Sequence, residues 1–504
     1  MRNLPSIITV FALLLVAGAP PSTQPLARLG NVPTIVLSPL ESRRPSTQQA
    51  REVKHLIHQL AQIENPDFGL SSTFSGIAFL PIATARQTGA MLLTDHGVQS
   101  SIALKRLVEL GPVALPALLE SLGENTPTKL IIKHDGGFGG MWLDQELPIN
   151  PAIERERVAQ PPHDENAAHF DDHITSHTVT VGEVCFVAIG QIVGRAYTCV
   201  RYQPSACVVI NSTSAKDELR RAVRAIWKSG DPQQHLLDSL LRDFSTDGVF
   251  NGDSLDGWDV GSELRCSAAM RMLYYFPNQT AELVVDQLKR LDVRGEARTS
   301  VDQFIKREVA NRVRAQEFIK ATAWCDRPEI REQIIRLFKE SNETSVVLAC
   351  LPGVTDTKLV QARLSEVIDA LPPNDGGPYG EAHDLLVALG GRRELDCKPI
   401  FMKYMKGGSF ERCRTMCQVL RSVRGDWSAE LLAPLLDDQR GFDTWTYALV
   451  KGQNEPRRKM RLGYEAAATI SASDKSLHFI LEGEPDSLDG QIQEMKAQIA
   501  KRPT

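Results

Sequence analysis

The stretch that decides how this chain is read is Ala103-Leu104-Lys105-Arg106-Leu107-Val108-Glu109-Leu110-Gly111-Pro112-Val113-Ala114-Leu115-Pro116-Ala117-Leu118-Leu119. It predicts a helix over 98–110, a break at Gly111-Pro112, and a second helix over 113–122. Proline has no N–H to give to a helix, and glycine tolerates the conformations in which a helix ends. Two helices joined by so short a break bury their apolar faces against each other and against neighbours.

Working outward, the same pattern recurs. From about Gln48, residues Val53, Leu56, Ile57, Leu60 and Ile63 follow i, i+3, i+4 spacing. From Ala215 onward helical spacing is nearly unbroken. Leu264, Ala268, Met272 and Phe276 form one face, and Pro277 breaks it. Ala281, Val284, Leu288 and Leu291 form the next, followed by Ile330, Ile334 and Phe338, then Val360, Leu364, Val367 and Leu371. Further helices are expected near 380–390, 395–406, 409–423, 427–436, 459–472 and 486–501. The turn Pro372-Pro373-Asn374-Asp375-Gly376-Gly377-Pro378 separates two groups of them. The breaks at Pro277, Pro328, Pro352, Pro372, Pro399 and Pro434 are 51, 24, 20, 27 and 35 residues apart, so any repeats have diverged. Many short amphipathic helices with proline breaks favour an all-α solenoid.

The 103–119 stretch resembles a HEAT-repeat unit of the bacterial type, in which a Leu-Gly-Pro junction is followed by Ala-x-Pro-Ala-Leu-Leu. Arg265–Leu291 resembles a divergent unit, and the whole chain is similar in style to exported bacterial HEAT-repeat proteins of unassigned function. The resemblance implies a HEAT-like α-solenoid of stacked helical hairpins that serves as a binding scaffold, and it brings no catalytic residues. A HEAT-type tetrapyrrole lyase is a further reading that rests on this resemblance alone.

One segment departs from the helical pattern. Residues 123–178 carry Gly136-Gly137-Phe138-Gly139-Gly140 and five prolines, and read as a long irregular Gly/Pro-rich insertion. Val179–Val193 is apolar almost throughout, and periodicity does not separate a buried helix from a strand there. Cys207–Ile210 reads as a short strand or an irregular core segment. The organisation expected is a signal peptide at 1–19, a Pro-rich segment at 20–46, N-terminal helices at 47–122, the insertion at 123–178, central repeats at 179–371 and C-terminal repeats at 372–504.

Composition excludes several classes. With 57 Lys+Arg against 62 Asp+Glu the chain is too balanced for a nucleic-acid binder. The apolar run Ile7–Ala17 after Met1 and Arg2, followed by Ala17-Gly18-Ala19, reads as a secretory signal, with export to a periplasmic or extracellular location. No later run is long enough to cross a membrane, so no stable span is expected after signal cleavage. Nine cysteines without a C-x-x-C argue against zinc ribbons and thioredoxin-like chemistry. Cys413 and Cys417, four apart on a helix, read as core packing in preference to a redox or metal pair.

The densest titratable segment holds His163, His169, His173 and His177 with Asp164, Glu165, Asp171 and Asp172. On one helix His169, His173 and His177 would share a stripe and converge on Zn²⁺. Pro161-Pro162 and the β-branched run Thr178–Val181 oppose a continuous helix. Asp247, Asn251, Asp253, Asp256 and Asp259 form an oxygen-rich loop that fails the calcium-loop pattern at Leu255. The 136–140 glycines lack the Gly-Lys-Ser/Thr of a phosphate loop. Tyr274, Tyr275 and Phe276 read as helical core before groove lining. No cofactor is expected apart from zinc on the histidines. The function expected is a non-catalytic scaffold for a protein or cell-envelope partner; the alternative is a metal-dependent hydrolase using the 163–177 cluster, with Asp171 or Asp172 as further ligand or base.

Overall fold

The computed structural model describes residues 46–64, 78–82, 101–134, 139–161, 173–202, 207–246, 264–291, 315–371, 380–392, 395–406, 408–423, 427–443, 459–481 and 485–501. Helices predominate among them and the strands are short. No helix among the described residues is long and apolar enough to cross a membrane. The chain divides into two compact units, 1–268 and 269–504. The signal-peptide reading falls on residues outside those described.

In the first unit, α1 (Thr47–Gln59) is followed by α2 (Ile102–Leu110) and α3 (Leu115–Glu120), as the opening stretch predicts. A 3-10 turn over Gly111–Val113 joins α2 to α3, and Gly111 has φ 56°, a conformation that favours glycine. The segment read as irregular contains more order than its composition suggests. It carries β1 (Pro127–Lys133), β2 (Met141–Asp144), α4 (Glu154–Ala159) and the start of β3 (Ser176–Thr180). The reason is alternation: Thr128, Leu130 and Ile132 are buried while Pro127, Lys129, Ile131 and Lys133 are exposed, the two-residue period of a strand.

Val179–Val193 resolves into the end of β3 and a helix, α5 (Val181–Val193). Thr180 and Glu183 close a reciprocal capping box at its start, and Gly194 at φ 75° ends it. Every residue of α5 is buried, as befits a helix apolar all round, and it packs on α1, α2 and α3. The first unit continues with β4 (Val200–Tyr202), β5 (Val208–Asn211), α6 (Asp217–Trp227) and α7 (Pro232–Ser245). β1 pairs antiparallel with β3, and β5 lies between β2, parallel, and β4, antiparallel.

The division into units falls inside α8 (Leu264–Tyr275). The second unit continues with α9 (Pro277–Arg290), α10 (residues 315–322), α11 (Pro328–Glu340), α12 (Thr344–Cys350), α13 (Thr357–Ala370), α14 (Glu381–Gly390), α15 (Lys398–Met405), α16 (Phe410–Val423) and α17 (Ser428–Leu432). Then come β6 (Gly441–Asp443), antiparallel to β7 (Lys459–Arg461), then α18 (Leu462–Ser473) and α19 (Pro485–Ala500). Helices pack on chain neighbours and on the next but one: α12 on α14, α13 on α14 and α15, α14 on α16, α16 on α18.

Two constructions recur. The first is an arginine that reaches the open carbonyls at the end of another helix. Arg155 donates to Ala225 O and Lys228 O at the end of α6, both at 2.8 Å. Arg224 donates to Leu119 O and Glu120 O of α3, Arg336 to Leu288 O of α9, and Arg363 to Phe338 O and Ser341 O at the end of α11. Arg392 does the same to Leu351 O and Val354 O after α12. Helix C-termini leave four carbonyls without intrahelical partners and carry partial negative charge, so a guanidinium satisfies both needs.

The second recurrent construction is a helix start pinned by main-chain bonds. At α5, Val181 N donates to Thr126 O and Gly182 N to Glu124 O, at 2.9 and 3.0 Å. At α18, Leu462 N donates to Arg440 O and Gly463 N to Asp438 O, at 2.8 and 3.1 Å. Both second residues are glycine because the backbones approach so closely. A Cβ at Gly182 would lie 2.5 Å from Leu122 O, and one at Gly463 2.6 Å from Leu436 O.

Candidate functional site

Of the four histidines, His163 and His169 lie outside the described residues, as do Asp171 and Asp172. His177 is the third-last residue before the capping threonine, within β3 and opposite Ile132. His173 forms an isolated bridge with Trp142, its ring 6.2 Å from the indole, and packs over Gly140. A helical stripe through His173 and His177 is therefore not what forms: the β-branched residues after His177 extend the chain into a strand, and the two imidazoles take different partners.

Of the two described histidines, His177 is the more closely held. Its Nε2 stands 3.0 Å from both oxygens of Glu183, whose side chain is wholly buried. Glu183 Oε2 also accepts from Thr180 N at 2.8 Å, and Oε1 from the Ser214 hydroxyl at 3.4 Å. Ser214 in turn joins Thr180 Oγ1 and Ser212 Oγ, each at 3.1 Å. The carboxylate fixes the imidazole with Nε2 inward, leaving Nδ1 for other work. Ser214 reaches the carboxylate and not the imidazole, so the arrangement lacks the nucleophile–base contact of acyl-transfer triads. Among the described residues, no group of three or more His, Cys, Asp or Glu is placed to hold a metal ion.

A second cluster was not foreseen from the sequence. Arg195, one residue past the αL cap of α5, donates through Nε and Nη2 to Glu156 of α4 at 2.8 and 2.6 Å. Through Nη1 and Nη2 it donates to Asp243 of α7 at 2.6 and 3.0 Å. Asn150 ties the acids together, its Nδ2 donating to Asp243 and its backbone N to Glu156, at 2.7 and 2.9 Å. All three charged side chains are at most 2 % exposed. Burial works against the charge on Arg195, and the two carboxylates more than restore it. Burial pushes the Asp243 carboxyl up to about 6. The guanidinium lies 5.8 Å from the Trp227 ring, and Trp227 Nε1 donates to the Tyr197 hydroxyl at 2.9 Å. Three charges from residues 156, 195 and 243 share no sequence neighbourhood, and each reads as surface until the fold joins them.

Neither a family model nor a curated protein nor a solved structure matches the chain. The chemistry of the site therefore stands on its own geometry.

The first unit also holds a cavity of about 210 Å³ at the start of α5. Lys54, His58, Glu120 and Glu124 rim it, over Ile57, Ala117 and Val181. Glu124 is held below its ordinary range by hydrogen bonds from Thr126. The first amides of α5 donate to Thr126 O, Glu124 O and Thr180 Oγ1, so they are not free to bind an anion.

The remaining candidates fall into place. The 247–259 oxygen-rich loop lies outside the described residues, as do 136–138. None of the nine cysteines forms a disulfide. Cys413 and Cys417 are buried on α16, where burial pushes both thiols up, and Cys350 is pushed up to about 12 for the same reason. Thiols so held stay protonated and unreactive. Phe276 is buried, and Tyr274 and Tyr275 are half-buried with their rings edge to face.

Proposed function

We propose that this chain is a HEAT-like α-solenoid scaffold, without a catalytic role, that binds a protein or cell-envelope partner outside the cytoplasm. The observation that carries the reading is the run from α11 to α18, in which helices pack on chain neighbours and on the next but one. Stacked helical hairpins contact only their neighbours in this way, and the extended surface they create is used for binding. The polar clusters support the same reading, because Glu183 is taken up by His177, Ser214 and the Thr180 amide, and Glu156, Asp243 and Arg195 by one another and Asn150. The export part of the reading rests on Ile7–Ala17.

One observation favours a second reading, a metal-dependent hydrolase built on the histidines with zinc. Imidazoles that bind metal are commonly oriented by a carboxylate on their other nitrogen, and Glu183 does this to His177. The tetrapyrrole-lyase reading has only the sequence resemblance behind it. Solution scattering with elemental analysis of the purified chain separates them. The scaffold expects a radius of gyration clearly above the roughly 23 Å of a compact chain this long, with no stoichiometric zinc. A compact radius overturns the solenoid, and one zinc per chain moves the hydrolase ahead.

A further inference from the structure

The short helix α4 is anchored at two places. Arg155 clamps the end of α6, and Glu156 enters the buried cluster with Arg195 and Asp243. Three parts of the first unit meet there: α4 through Glu156, the turn after α5 through Arg195, and α7 through Asp243 and Ser239. Their charges do not balance, since two carboxylates face one guanidinium in a site closed to water. The other titratable groups nearby do not correct this. The Tyr197 hydroxyl accepts from Trp227 and is pushed up by burial. His235 stacks on Trp227 near Arg155 and Asp238, and burial together with Arg155 works against its charged form. A buried pair of like charges sharing one counter-ion is relieved either by a proton or by movement of one member.

We propose that Arg195, Glu156 and Asp243 form a proton-operated latch on α4: with one proton on the acids the cluster is neutral and α4 is held, and with both acids ionised they repel and α4 opens. Withdrawal of Glu156 leaves Arg195 and Asp243 as a matched pair, so opening removes the surplus charge at a stroke. α4 is the member that yields. It has six residues against fourteen in α7, and Val158 on its outer side is 76 % exposed. The acid pair carries the proton. Burial, with Glu156 beside it, raises the Asp243 carboxyl to about 6 in the fold against an ordinary 3.8, so a proton binds more tightly folded than unfolded. The latch is therefore strongest below about pH 4 and is lost as pH rises through about 6.

Hydrogen exchange of the α4 amides in the full chain, corrected for intrinsic rates, tests this between pH 5 and pH 7.5. Protection of α4 is expected to fall roughly tenfold or more over that range while α7 keeps its protection. In Asp243→Asn, and separately in Glu156→Gln, the pH dependence at α4 is expected to vanish, whatever the absolute stability of each variant. Protection of wild-type α4 that does not change with pH overturns the latch, with no variant needed. So does a pH dependence that survives in both variants.

Discussion

The α3–α5 hairpin of the first unit and the α17–α18 hairpin of the second begin alike and then part. In each, a helix ends in a 3-10 turn, a strand leads away, and an antiparallel strand returns into a helix whose second residue is a closely packed glycine. Beyond that point the chemistry differs. α5 has a side-chain cap at Thr180, and its buried Glu183 is met by His177, Ser214 and a backbone amide. α18 has Arg461 at the cap position with no side-chain cap bond. Its buried Glu465 stands 3.8 and 3.9 Å from Arg414 and Arg421, one oxygen has no hydrogen bond, and burial pushes the carboxyl up. What the two share is main-chain anchoring; what distinguishes the first is a layer of side-chain chemistry added on top. That added layer is where individuality of function is to be sought.

The largest expected effect lies at the far ends of these helices. Arg195→Met leaves two buried carboxylates without their cation and is expected to cost about 3–5 kcal/mol in denaturant unfolding. Asp474→Ala, at the corresponding end of α18 in an exposed turn, should stay within about 0.5 kcal/mol. Comparable losses at both ends would show that the second unit hides an equivalent lock.

Next come the glycines. Gly182→Ala and Gly463→Ala each force a methyl against a backbone carbonyl, and each should cost on the order of 3 kcal/mol. Gly490→Ala, inside α19 with open space around it, should be neutral or gain up to about 1 kcal/mol. A loss at only one of the two packed glycines would break the equivalence of the hairpins.

The smallest effect sharpens the difference at the caps. Thr180→Ala removes the cap hydroxyl and should cost about 1 kcal/mol, measured as a shift in midpoint at constant slope. Arg461→Ala removes no cap bond; its half-buried contact with Asp489 is worth roughly half of that or less. Equal losses would mean that α18 is capped in a way its backbone does not reveal.

The helices were legible where apolar spacing and proline breaks coincide. The Leu110-Gly111-Pro112 junction falls where the chain turns, and 381–390, 398–405 and 410–423 match the predicted spans within a few residues. The 127–133 strand was hidden by surrounding glycine and proline, although its own residues alternate. The ambiguity over 179–193 had an answer in the text of the chain. Thr180-Val181-Gly182-Glu183 is a capping box and Gly194 a stop signal, and together they mark a helix between them. For the histidines, proximity in sequence was a poor guide: His177 belongs with Glu183 and Ser214, which no metal-ligand spacing points to. Arg195, Glu156 and Asp243 were illegible for a simpler reason, since local pattern carries no information about which surface-type residues a fold will bring together at 39 and 48 positions' remove.

The arginines that close helix ends have a bearing on how this chain varies along its length. Each reaches carbonyl oxygens, which every residue type supplies, so the clamp places no demand on the side chains it touches. It also tolerates its own displacement: Arg224 sits near the end of α6, Arg336 past the middle of α11, Arg363 in the middle of α13 and Arg392 just beyond α14. Helices joined in this manner can lengthen, drift in register and exchange nearly all their surface residues while the join persists. A search for recurring letters would pass over such a join, because what recurs is a reach from one guanidinium to a bare backbone end. The uneven intervals between its proline breaks are what a chain held together by its backbone can afford.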